Sequence, residues 1–480
     1  MSTEEERSST GAPSTERLTW PRALEVLSPM ARHHAGPAMD AAFVSLQSFY
    51  PAVNIHAYPA DDKCGSWAVP PGWLVKSGRL TGPNGKIIAD YDEHPLRLFT
   101  YSPAFTGEVS LDELQKHIMS DPARPKSVPF HFRNQYRHWN ANWGFCLTQE
   151  ERDGLVPGTY KVEIDSEFVK SELKMASQVH RGEQDDSFLF VGHFDHPGMA
   201  GDGLIGCLAG HEAITRLAQQ STRLTYRMVS TVEIVGSVFY ATRRAREDNV
   251  REALFCSLSG VDAPLKYART AQEKATIDRV MAHILKHADE PAEEIGFQRG
   301  IGNDEVAFDV YGVGIPCGSL QRWPYEHYHT DADSADKVVA EKMESFVQIL
   351  LRVIYVFENN SLLRGLFSGL PQLAHPDIDL YIGPGKVSRV VDDSNDASEE
   401  LYKRLSRNEL WGSPDLDPGE LNQLMITIPS FADGKHSTLD IAEITDLPFS
   451  VVDAYTAMWQ EKGLLEKSWL NPFGEEKDSE

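Results

Sequence analysis

The chain has 480 residues, of which 41% are hydrophobic and 24% charged, and its 71 Asp and Glu against 46 Lys and Arg leave a formal net charge of −25. At roughly 150 residues per domain this is material for about three folded domains, and the acidic surplus argues against a nucleic-acid backbone or an anionic membrane as a general partner. No apolar run approaches the ~18 residues of a membrane span, and Cys64, Cys146, Cys207, Cys256 and Cys317 are dispersed without a Cys-x-x-Cys pair, the usage expected of reduced thiols in a cytoplasm.

Residues 1–17, MSTEEERSSTGAPSTER, are acidic and Ser/Thr-rich. They lack the basic-then-apolar order of a signal peptide and read as a disordered tail. Over 18–58, Ala23, Leu24, Leu27 and Met30, then Phe43, Leu46 and Phe49, recur at helical spacing, which predicts two amphipathic helices. Between 59 and 122, Gly, Pro and Asn punctuate short runs such as Trp73-Leu-Val, the texture of a small β-rich module. From 123 to 385 strands alternate with helices. Tyr160 to Ile164, Phe188 to Val191, Leu224 to Val232 and Leu254 to Leu258 read as strands; Gly206 to Leu217, Thr276 to Lys286 and Ala335 to about Phe357 read as helices. This pattern predicts an α/β fold with a mixed, mostly parallel sheet flanked by helices. A Gly/Asp/Ser-rich linker is expected around Gly383 to Ser398. Over 400–475 two short helices, Ser437 onward and Val451 to Lys462, precede Gly463-Leu-Leu-Glu-Lys, the layout of a winged helix-turn-helix. From Glu400 to Glu480 there are sixteen Asp and Glu against seven Lys and Arg, so DNA binding is not expected of it.

Four segments carry chemistry. Phe188-Leu-Phe-Val-Gly-His-Phe-Asp-His-Pro leads to Asp202, placing His193, Asp195, His196 and Asp202 just after a strand, where open α/β sheets keep their ligands. Glu233 is the single carboxylate at the end of the next apolar strand, a setting that raises a carboxyl toward general-base strength. Asp262 follows the strand ending at Leu258. Finally, Asn303-Asp304-Glu305, Arg322 and Tyr325-Glu-His-Tyr328-His329 crowd the stretch before the long helix. A set of imidazoles and carboxylates at strand ends, without cysteine, suits zinc, with manganese or cobalt as substitutes.

In order and spacing, His193-Phe-Asp-His-Pro, Asp202-Gly-Leu-Ile-Gly, Glu233-Ile-Val-Gly-Ser, Asn303-Asp-Glu and Tyr328-His-Thr resemble the M28-type zinc aminopeptidases. The resemblance is closer to the bacterial aminopeptidase-like proteins of the DUF4910/DUF2172 type, whose texture is also met at Trp67-Ala-Val-Pro, Tyr101-Ser-Pro and Trp143-Gly-Phe-Cys146. It implies a zinc-peptidase-like phosphorylase/hydrolase fold and one or two zinc ions held by His193, Asp202, Glu233, Asp262 and His329, with Asp202 bridging and His196 competing with His193. It further implies Asp195 orienting His193 and Glu233 as the catalytic base. Asp304 and Glu305 are candidates for gripping a substrate ammonium, and Arg322 and Tyr328 for gripping a carboxylate or oxyanion. The family's Glu-Glu doublet is replaced by Ser230-Thr231, and its Asp-Asn by Asp202-Gly203, so whether Glu233 is base or ligand stays open. The implied activity is hydrolysis of a small peptide or amide, with a one-metal amidase or cyclase, or a non-catalytic binding protein, as alternatives. No nucleic-acid or membrane partner is expected, and a homo-oligomer is left open.

Overall fold

Eight strands form one mixed sheet at the centre of the computed structural model, which describes residues 19–383, 401, 404–405, 408, 410–411 and 416–474. In chain order they are β1 Asn54–Tyr58, β2 Leu173–His180, β3 Ser187–His193, β4 Thr225–Thr231, β5 Val250–Ser257, β6 Leu265–Ala268, β7 Ala292–Ile295 and β8 Cys317–Arg322. Their order across the sheet is β1-β2-β4-β3-β5-β8-β6-β7. β4, β3, β5 and β8 run parallel to one another, β1 pairs antiparallel with β2, β2 with β4 and β6 with β8, and β7 is parallel to β6. Every residue of β3 and of β4 is buried, as near-continuous apolar runs covered on both faces require.

The faces are covered by different helices. The main core takes Phe188 and Phe190 of β3 together with helix α3, Leu204–Arg216 (after α1 Trp20–Leu27 and α2 Pro37–Phe49), and with α6, Ala340–Asn359. A second core takes the intervening Leu189 and Val191 together with α4, Val235–Arg243. α5, Thr276–Lys286, precedes α6 on the main-core side. The chain therefore leaves β3 over one face to reach β4 and returns over the other to reach β5. That reversal opens a crevice at the carboxyl ends of β3 and β4.

The β-rich module extends beyond its expected limit at 122. Its four-stranded sheet pairs Gly72–Thr81 and Phe105–Ser110 on either side of Thr159–Val169, a strand the sequence pattern assigns to the α/β sheet. Its alternation of buried Tyr160, Val162 and Ile164 with outward polar residues is the signature of a one-face-covered antiparallel strand. The long helix begins at Ala340, after a short 3-10 turn over Ala335–Lys337.

At the C-terminus, α7 Pro418–Phe431, α8 Thr438–Thr445 and α9 Phe449–Glu461 accompany a three-stranded antiparallel sheet of Ser361–Gly365, Asp433–Ser437 and Leu465–Trp469. The unit is joined to the rest by Arg279 reaching Asp440 and Glu443, and by Trp469 donating to the carbonyl of Phe357. α9 carries no Lys or Arg, so it lacks the basic stripe of a DNA reader. The expected N-terminal tail and the linker near 383–398 lie outside the described residues, apart from Gly383. Among the described residues no helix is long and apolar enough to cross a membrane.

Candidate metal centre

His193 is the last residue of β3, and Glu233 lies two residues beyond β4. Asp202 precedes α3 in the loop between them. Asp304 stands at the start of the short helix Glu305–Phe308, and His329 in the loop after β8. These five residues and His196 converge at the crevice. Asp202 is the hub. Its Oδ1 lies 3.2 Å from His193 Nε2, and its Oδ2 lies 2.9 Å from His329 Nε2 and 3.5 Å from His196 Nε2. Glu233 Oε2 lies 3.4 Å from His196 Nε2.

The local backbone is shaped to this end. Gly203 has φ +87°, and a Cβ there would stand 2.4 Å from His193 Cδ2. Glycine is therefore required beside Asp202, which explains the departure from Asp-Asn. His196 and His329 also take positive φ, +86° and +57°, conformations that cost a non-glycine residue ~1–3 kcal/mol and cluster at functional sites. The His196 loop is held from below by Arg32, whose fully buried guanidinium donates to the carbonyls of Phe194 (2.8 Å), His196 (2.9 Å) and Met199 (2.6 Å). On the Asp202 side, the buried Asp333 carboxylate accepts from the backbone N–H of Gly201 (2.7 Å) and Asp202 (2.8 Å) and from Tyr325. Burial and the nearby Asp202 charge push Asp333 up to about 7.

Electrostatically the cluster asks for positive charge. Burial would lower His193, but its bonds to Asp202 and Asp304 hold it well above the usual imidazole value. His196, desolvated yet facing Asp202, Glu233 and Asp195, is pushed up to about 9. Asp202 is desolvated too, but His196, His193 and His329 hold it well below the carboxylate range. Glu233 is lowered by its hydrogen bond to His196 and the His193 charge, against the opposing effect of burial. Protons on the imidazoles here serve where a cation would.

Donor geometry fits a metal. His193, His196 and Asp202 each offer a ligand atom within 4.8 Å of the others, as do Asp195, His196 and Glu233. Asp202 Oδ2 and His329 Nε2 are buried and close, yet neither makes a hydrogen bond. Two donors side by side, not aimed at each other, is the arrangement of ligands aimed at a shared third atom. An N/O set of this kind suits zinc.

Several sequence expectations change. Asp262 does not reach the cluster: its side chain is 81% exposed and pairs with Lys342 at 2.8 Å, because the turn after β5 directs it to solvent. Arg322 is fully buried and tied to Glu290 and the carbonyl of Ser259, so it has no donor to offer a substrate. Glu305 is likewise buried, turned onto the backbone N–H of Asn303 and the side chain of Gln298. Asp304, fully buried, accepts from His193 Nδ1 at 2.9 Å. It thus holds the tautomer of His193, the task expected of Asp195. Asp195 instead faces His34 Nε2 at 3.3 Å and accepts from the backbone N–H of Glu233 at 2.8 Å. Tyr328 does stand at the site, stacked on His329 with centroids 3.9 Å apart. Arg32, His34 and Tyr136 are site residues that the sequence patterns do not mark, whereas Asp333 lies in the acidic stretch from Tyr325 onward. Only the run Arg32-His33-His34, polar between two amphipathic helices, offered a signal.

The family model described as "Domain of unknown function (DUF4910)" matches residues 22–360. A Clostridium acetobutylicum protein named for polysaccharide biosynthesis and an aminopeptidase-like domain is 26% identical over 430 residues, 89% of this chain and 91% of its own. A crystal structure from the same organism, named as a peptidase, superposes with TM-score 0.76 at 24% identity, covering 93% of this chain and 95% of the other. A zinc aminopeptidase from Bacillus subtilis superposes with TM-score 0.50 at 11% identity over 69% of this chain and 93% of its own. The fold is thus the mixed α/β fold of the zinc aminopeptidases, and the chain belongs to the DUF4910 family.

Proposed function

We propose that this chain is a metal-dependent hydrolase of an amide or peptide bond, with one zinc ion held by His193, His196, Asp202 and His329 and with Glu233 as the base. The observation that carries the assignment is a division of exposure. The side chains of Asp202, Asp195, Asp304, His193 and His196 are at most 1% exposed, whereas Glu233 is 19% and His329 20% exposed. Glu233 is therefore the one carboxylate of the cluster that can meet a water and a substrate. Zinc, when bound, would supply an electrophile for the carbonyl and acidify a water. Glu233 would take the water's proton and deliver it to the leaving amine. Asp304 keeps the Nδ1 proton of His193 outward so that Nε2 faces the hub. Tyr328, whose burial keeps the phenol neutral, is placed beside His329 to donate to an oxyanion. Asp262 lies outside the cluster and the two groups of donors share His196, which favours the one-ion reading over the bridged pair.

The test is metal content and hydrolysis of aminoacyl p-nitroanilides on zinc-loaded protein. About one ion per chain and loss of activity with chelator are expected. Glu233→Gln should keep the ion but lose at least ~10³-fold in kcat. Hydrolysis that survives both chelator and His329→Ala would sink the metal mechanism, and full activity in Glu233→Gln would sink the base assignment. The five cysteines, all free and buried, support the reading of a cytoplasmic protein.

A further inference from the structure

A pocket of about 270 Å³ adjoins the site, walled by Trp67, Trp139, Tyr136, His34, Pro70 and Val235. Two of its walls are also site residues. Tyr136 donates to the carbonyl of Glu233 at 3.1 Å, and His34 stands 3.3 Å from Asp195 and packs edge-on against Tyr136 with centroids 5.1 Å apart. Val235 follows Glu233 by two residues. None of the residues lining this pocket is Asp, Glu, Lys or Arg. Of the other described pockets, two are lined with ionised groups such as Lys286, Glu294 and Asp446, or Arg216, Arg223 and Glu358, and a third, uncharged one lies at Leu370–Tyr381 against α7, with none of the cluster's residues in its lining.

Resting on the hydrolase reading, we infer that this pocket receives an uncharged aromatic side chain belonging to the substrate residue that supplies the scissile carbonyl. Flat aromatic walls gain most from a ring stacked or set edge-on against them. With no Asp, Glu, Lys or Arg in the lining, an ionised side chain would enter without a strong partner and its desolvation would go uncompensated. Apart from Val235 at the start of α4, the walls come from three stretches outside the parallel sheet: the segment between α1 and α2, residues 66–70, and the Gln135–Trp139 stretch. Specificity is thus carried by the added segments and chemistry by the sheet.

The experiment compares phenylalanyl, tryptophanyl, glycyl, lysyl and glutamyl p-nitroanilides on the zinc-loaded chain. An aromatic-over-glycyl ratio in kcat/KM of about 100 is expected, with lysyl and glutamyl substrates no better than glycyl. Trp139, 73% exposed, can be truncated without touching the core, and Trp139→Ala should narrow that ratio about tenfold. Glycyl or lysyl turnover equal to phenylalanyl, or an unchanged ratio in Trp139→Ala, overturns the inference. If no amide is cleaved at all, the hydrolase reading fails, and the pocket is judged by calorimetry with L-phenylalaninamide and glycinamide. Saturable binding of the former alone, weakened in Trp139→Ala, upholds the aromatic pocket, and its absence overturns it.

Discussion

Two groups of buried carboxylates in the molecule behave in opposite ways. Around α5 and the start of β4 they are saturated by protein donors. Asp278 accepts from Tyr267, from the Thr270 backbone and hydroxyl, and from the Ala275 backbone. Glu358 accepts from the backbones of Arg223 and Leu224 and from the Tyr226 hydroxyl. Glu252 accepts from the backbones of Thr276 and Ile277 at the start of α5. At the carboxyl ends of β3 and β4, by contrast, Asp202 Oδ2 and His329 Nε2 lie 2.9 Å apart without a hydrogen bond. A carboxylate that serves the fold has its oxygens filled by N–H and O–H groups, while one that serves chemistry keeps an oxygen for something the chain does not contain.

Removing a member of the second group should therefore cost function before fold. Asp202→Ala is expected to lose the bound metal and at least ~10³-fold in kcat/KM, read by metal analysis and kinetics, while far-UV circular dichroism stays that of the wild type. Retention of stoichiometric zinc in that variant would break the distinction drawn here. Glu358→Ala should do the reverse. It strands three donors, among them the buried main-chain amide of Leu224 and the buried Tyr226 hydroxyl, and is expected to cost about 4 kcal/mol of unfolding free energy in urea. Its turnover per folded molecule should stay within about twofold of wild type.

Glu252 sharpens the comparison through pH. Burial, with the Asp278 charge adding to it, pushes its carboxyl up to about 7 despite the two amide donors. A carboxyl raised on folding is protonated in the native state while the unfolded chain has already released its proton. Stability from this group is therefore full below about pH 4.5 and falls as pH rises to about 7. A gap of that size corresponds to about 3 kcal/mol. Glu252→Gln should lack this fall, so the difference in unfolding free energy between variant and wild type should grow from pH 5 to pH 8. A constant difference would show that the two amides at the start of α5 neutralise the cost of burial.

How far these roles were legible depends on what precedes each residue. His193 closes an unbroken apolar run and Glu233 an apolar and hydroxylic one, so burial, strand and strand end can be read together, and the crevice follows from the alternation of strands and helices. Asp202 and His329 were legible through spacing and neighbours. Arg32 and His34 were not, because they sit between two helices with no strand before them. Their use depends on a tertiary contact with the Phe194–Met199 loop that no local pattern encodes. Asp304 is legible as a site acid but not by its task, since whether a buried acid faces substrate or an imidazole nitrogen is decided by side-chain direction. The strand read at Tyr160 to Ile164 is legible but its sheet is not, for a similar reason: alternation fixes which face is covered, not by which partner.

Asp262 is the case where a residue's texture in sequence matches the site and its place in the molecule does not. Like Glu233 it follows an apolar strand after a small-residue turn, yet Ser259-Gly260 turns the chain inward. The Ser259 hydroxyl donates to the carbonyl of Ile205, and the Gly260 carbonyl accepts from Val339. With Val261 buried and bridged to Val338, the next side chain is sent outward to Lys342. An exposed ion pair of this kind adds little to the fold and nothing to the centre. Asp262→Asn is therefore expected to leave zinc content at its wild-type value, kcat/KM within twofold and Tm within measurement scatter. A loss of metal or of more than tenfold in activity would mean that the turn after β5 swings inward when the ion binds, and would restore the two-ion arrangement that the outward-facing carboxylate of Asp262 now argues against.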